Sequence, residues 1–68
     1  MAGAGSDELL FWRGSMYSSM GELDEAADDV SRAIYLNERW KPLIARLPAE
    51  IFPGVEKVCK RLSIERAK

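Results

Sequence analysis

The sequence contains no histidine and a single cysteine, Cys59. Without histidine there is no imidazole general base and no Ser–His or Cys–His nucleophile pair. A zinc site of the Cys/His type is excluded for the same reason. One cysteine cannot form a disulfide within the chain. No phosphate loop or dinucleotide fingerprint occurs. The longest uncharged stretch, residues 14–21, is polar and far too short to span a bilayer. Neither charge sign dominates: 10 basic residues stand against 11 acidic ones, for a net charge of −1. No global field therefore steers the chain toward nucleic acid or membrane. These gaps give the expectation of a non-enzyme that needs no cofactor and no metal.

What is present suits one small folded domain. The chain has 68 residues, 47% hydrophobic and 31% charged. A domain of this size hides only about 60% of the surface its unfolded chain exposes. Its own core would supply roughly 3–5 kcal/mol. Disulfides, a metal or a partner chain are the usual reinforcements, and the first two are not expected here. A protein partner or self-association is the remaining candidate.

Apolar residues recur at helical spacing, and no useful length alternates with period two. Residues 1–6 read as a disordered lead, neither a secretory signal nor a basic presequence. With a lone thiol, that points to an intracellular, cytoplasmic setting. Ser6 is the expected N-cap of a first helix over about 7–20, with Asp7 and Glu8 in its first turn. Leu9, Trp12, Met16 and Met20 form one stripe of that helix, and Leu10, Gly14 and Tyr17 another beside it. Two stripes imply contact from more than one side. Gly21 is placed to end the helix in a left-handed conformation. A second helix to about residue 37 buries Leu23, Ala26, Ala27, Val30, Ala33 and Ile34. Its opposite face carries Glu22, Glu25, Asp28, Asp29 and Arg32, with Asp24/Asp28 and Glu25/Asp29 as spaced carboxylate pairs. Those pairs are expected to be a solvated acidic face.

Pro42, Pro48 and Pro53 then rule out a long helix. A short helical turn over 42–47 and another over 49–52 are compatible with them, because proline is tolerated at a first helical position. Pro53–Gly54 is a strong break. A last helix is expected over about 55–66, with Val55, Val58, Cys59 and Leu62 inward and Lys57, Lys60, Arg61 and Arg66 outward. The fold class is all-α: an antiparallel helical hairpin at 7–38, a proline-punctuated connector at 39–54, and a basic amphipathic helix at 55–68 that caps the hairpin. Cys59 reads as a buried structural thiol. Trp12 and Trp40 read as packing residues, and Trp40 would also serve as an exposed contact at the start of the connector.

The hairpin resembles a tetratricopeptide repeat, a helix–turn–helix unit of 34 residues. The matching residues are Leu10, Gly14, Tyr17, Gly21, Leu23, Ala26, Val30 and Ala33. Gly14, Ala26 and Ala33 are small where paired helices approach closely, and Tyr17 and Val30 fill the space between them. Three positions depart from the pattern: Arg13 stands where leucine is usual, Leu10 replaces a common tryptophan, and Glu38 stands where a closing proline is frequent. No second repeat follows, since a shift of 34 residues puts Pro48 under Gly14 and Lys60 under Ala26.

The resemblance implies a protein–protein interaction module, an adaptor or a small structural subunit of a larger assembly. Arrays of this family hold partner peptides in a concave groove lined by the first helix of each unit. By position, the groove residues here would be Glu8, Phe11, Ser15, Ser18 and Ser19, with Phe11 the apolar anchor; Trp12, on the adjacent stripe, joins the partner-binding set. Charge is also segregated: residues 7–29 hold seven acids against Arg13 alone, residues 30–50 carry +2 and residues 51–68 carry +3. The acidic hairpin would dock on the basic tail, in cis or between chains. The alternative is a compact three-helix accessory domain whose basic last helix touches nucleic acid or an anionic membrane.

Overall fold

A computed structural model describes residues 5–66 of the protein. Residues 1–4 of the expected disordered lead and the last two residues lie outside the described part. Four helices follow in order: α1 (Ser6–Ser19), α2 (Leu23–Leu36), α3 (Trp40–Arg46) and α4 (Val55–Arg61). Among the described residues there are no strands. The chain is all-α, with α1 and α2 packed as an antiparallel hairpin.

Helix α1 begins one residue before the expected start: Gly5 is the cap position, and Ser6 makes no capping hydrogen bond. The Asp7 carboxylate is engaged elsewhere. It accepts from the Trp40 indole Nε1 at 2.7 Å and from Asn37 Nδ2 at 3.2 Å. These bonds tie the start of α1 to the end of α2 and the start of α3. At the other end, Gly21 has φ +83°. The Glu22 amide donates to the Tyr17 carbonyl and the Gly21 amide to that of Ser18. This pair of bonds is the Schellman arrangement, which satisfies carbonyls the helix end would leave free.

The close approach of α1 and α2 centres on Gly14. A methyl group there would sit 2.9 Å from Val30 Cγ2 and 3.1 Å from the Ala26 carbonyl oxygen. Phe11, Ala26, Val30, Ala33, Ile44, Phe52, Val55, Val58 and Cys59 are fully buried around this crossing. Burying an aromatic or large aliphatic side chain of this kind contributes about 1.5–3 kcal/mol. The connector supplies two of the largest members, Ile44 and Phe52.

Helix α3 is longer at its start than the proline spacing suggests, with Pro42 as its third residue. Amides of the first turn have no helical acceptor, so a proline there forfeits nothing. Residues 49–52 form a hydrogen-bonded turn on the Pro48 carbonyl and no helix. Gly54, at φ +79°, then opens α4. The last helix ends at Arg61, well short of residue 66. Ser63 takes the left-handed conformation at φ 59°, and the Ile64 amide donates back to the Cys59 carbonyl at 2.8 Å. The chain thereby turns Ile64 into the core. Beyond it, Arg66 donates to the carbonyls of Ile44 and Leu47 at 2.7 and 2.6 Å, closing the end of α3. Arg66 therefore serves as a cap rather than as part of an outward basic face. No helix among the described residues is long and apolar enough to cross a membrane.

Candidate protein-docking face

Successive steps of three and four residues along α1 place Leu9, Trp12, Met16 and Met20 on one face. Phe11, Ser15 and Ser18 fall on the other side. The structure treats the two sides differently. Phe11 is fully buried, stacked on Trp40 with ring centroids 4.2 Å apart and meeting Phe52 edge-on. Ser15 and Ser18 are buried as well, and the Ser18 hydroxyl donates to the Pro53 carbonyl. Ser18 also lies against Gly54, where any side chain would collide with its hydroxyl.

The face that the repeat resemblance makes a peptide groove is thus covered by the connector and the start of α4. Of the six residues expected to meet a partner, Phe11, Ser15 and Ser18 are inside the chain's own core. Glu8, Trp12 and Ser19 remain exposed, and the Ser19 hydroxyl bonds back to the Met16 carbonyl at 2.7 Å. The six do not share one open face.

The outer stripe is open instead. Leu9 is 74% exposed, Trp12 41%, Met16 56% and Met20 59%. Trp12 leans edge-on against Phe11, 5.1 Å between centroids, so its inner edge is fixed from beneath. Leu9, Leu10, Trp12, Arg13 and Met16 line a shallow trough along the helix. The sequence shows this stripe through its spacing; what it does not show is which of the two faces of α1 the connector covers. A contiguous row of exposed apolar side chains rimmed by polar residues is a candidate interaction surface.

The rim of the stripe is polar. On one side Arg13 leaves it for α2, donating to both oxygens of Asp29 at 2.7 and 3.1 Å and lying over the Tyr17 ring at 6.0 Å. Asp29 is 4% exposed, which corrects its expected place on the solvated face of α2. The pair joins the two helices through a fork of charge-assisted bonds. Asp24 binds Arg61 of α4, and Asp28 binds Arg32 one turn on. The first of these is a contact between acidic hairpin and basic tail within one chain.

Cys59 is buried beneath this framework, its thiol 3.8 Å from the Ile44 carbonyl, and burial pushes its pKa up. The side chain is fully buried and packs as a small apolar group of the core. Comparison with family models, curated proteins and solved structures gave no match to this chain.

Proposed function

We propose that the protein is a protein–protein interaction module, an adaptor or small subunit of a larger assembly, that docks through the outer face of α1. The observation that carries this reading is the row of Leu9, Trp12, Met16 and Met20, left in solvent although the chain has packed a complete core on the other side of the same helix. Three large apolar side chains in line on α1, with Met20 following at its C-cap, form a preorganised anchor set. The close crossing at Gly14, with Ala26 and Val30 opposite, supports a hairpin of tetratricopeptide type. The docking face differs from the groove of that family, because the groove side is filled from within. Two basic residues of the tail are occupied inside the chain, Arg61 on Asp24 and Arg66 on carbonyl oxygens. The basic surface available for nucleic acid or lipid is correspondingly smaller than the sequence count.

A photoreactive side chain at Met16, compared with the same group at Lys57 on α4, tests the reading in extracts of the source cells. One protein captured at position 16, displaced by unlabelled chain and absent at position 57, is the expected result. Equal labelling at both positions, or none at 16, overturns it.

A further inference from the structure

We propose that the occupant of the α1 stripe is a second copy of the chain, which meets it with the surface at its α2–α3 junction. This inference rests on the docking reading above and names the partner. The exposed large apolar side chains of the described residues fall in two places, with Ile51 apart from both. One is the stripe of Leu9, Trp12, Met16 and Met20. The other comprises Tyr35 and Leu36, which end α2, and Leu43 of α3, exposed by 89%, 55% and 39%. Leu43 lines a cleft of about 290 Å³ together with Trp40, Pro42 and the arginines Arg39 and Arg46. The two surfaces belong to segments of opposite charge. Residues 7–29 hold seven acids against Arg13, and Arg13 is bonded to Asp29. Residues 35–47 hold Arg39, Lys41 and Arg46 against Glu38. Among the described residues, none of those three bases has an ion-pair partner.

Unlike faces fit better than like ones. Stripe against stripe would bring together two segments with the same acidic excess, and like charge across a contact suppresses it. It would also leave Tyr35, Leu36 and Leu43 in water. The α2–α3 surface offers the stripe apolar side chains and free cations at once. Helix α4 cannot take that part. It carries Lys57 and Lys60, but its apolar residues Val55, Val58 and Cys59 are fully buried in its own core. One kind of contact between copies therefore covers both apolar surfaces of the chain, whereas a foreign occupant of the stripe leaves the second one bare. Each copy carries one face of each kind. Association thus continues past the first contact until both are filled, in a two-fold dimer, a ring or an open chain. Small domains commonly gain stability from such assembly.

Sedimentation equilibrium of the intact chain and of two variants tests the inference. Leu9→Gln with Met16→Gln disables the stripe, and Arg39→Glu with Arg46→Glu reverses the charge of the other surface. All four side chains are exposed, and circular dichroism checks that each variant folds. The intact chain is expected to exceed the mass of one chain as its concentration rises into the millimolar range, less readily at high salt. Each variant alone should stay a monomer over that range. An equimolar mixture of the two should associate again, because one supplies an intact stripe and the other an intact α2–α3 surface. Association that survives Arg39→Glu with Arg46→Glu but not the stripe substitutions means that stripe meets stripe. That overturns the inference and leaves the docking reading standing. Association that survives the stripe substitutions overturns it too, as does a mixture that stays monomeric. If the intact chain is a monomer at millimolar concentration, the inference falls, and capture at Met16 decides the docking reading separately. A foreign protein captured there keeps that reading, and none removes it. Stripe-dependent binding of the monomer to vesicles of anionic phospholipid assigns the stripe to a membrane and overturns both.

Discussion

Asp7 shows how much one side chain organises here. Its carboxylate joins three helices by accepting from Trp40 and Asn37, and the indole bond is the main reason its pKa lies below the ordinary aspartate value. A carboxyl group whose folded pKa is depressed stabilises the fold above its unfolded pKa, about 3.9. That contribution is lost as pH falls through the lower, folded value. Asp7→Asn is therefore expected to be less stable than the parent at neutral pH, with the gap closing below about pH 4. Urea midpoints of the two proteins across that range check it. A gap that stays constant with pH would mean that the ionised carboxylate is not what binds the indole. The sequence placed Asp7 in the first turn of a helix and stopped there, because its partners lie 30 and 33 residues away and no local spacing announces them.

At the scale of elements, local chemistry was a good guide wherever it acted alone. Gly21 ends α1 as its residue type implies, and the stripe of Ala26, Val30 and Ala33 faces the core as its spacing implies. Two errors have one cause, a residue whose role is set by tertiary contact. Ser63 takes a left-handed conformation more natural to glycine because Ile64 beyond it has a place in the core, so α4 is shorter than its apolar pattern. Asp29 looks like part of an acidic face until Arg13 from α1 reaches it. The candidate site was half legible: spacing gave the stripe of Leu9, Trp12, Met16 and Met20, and the resemblance pointed to Phe11, Ser15 and Ser18; that the connector fills the second face and leaves the first open is not a local property.

Gly14 is where sequence and packing agree most closely. Alanine favours the helix by about 0.8–1.0 kcal/mol over glycine. The added methyl must enter a space limited by the Ala26 backbone oxygen, which cannot rotate away as a side chain would. Overpacking of this kind costs about 1–3 kcal/mol. Gly14→Ala is expected to lower stability by about 1 kcal/mol on balance, read as a drop in the urea midpoint. A rise would show that α1 and α2 can separate slightly at no cost.

For the molecule as a whole, the decisive arrangement is that a helix apolar on two sides is satisfied on only one of them. Ile44 of the short helix α3 and Phe52 of the turn after it complete a core that two helices of this length could not close. A chain this small holds only a few kcal/mol of net stability. Truncating a fully buried phenylalanine costs about 3–5 kcal/mol. Phe52→Ala is therefore expected to leave most of the chain unfolded at room temperature. Leu9→Gln with Met16→Gln removes as much apolar surface from α1, but from the side in solvent, where a substitution costs within about 0.5 kcal/mol. Thermal melts followed by circular dichroism should separate the two variants sharply. The double variant keeps a cooperative transition within a few degrees of the parent, and Phe52→Ala has none. Were both to melt alike, the stripe would be part of the fold's own support, and its exposure would no longer argue that another polypeptide belongs there.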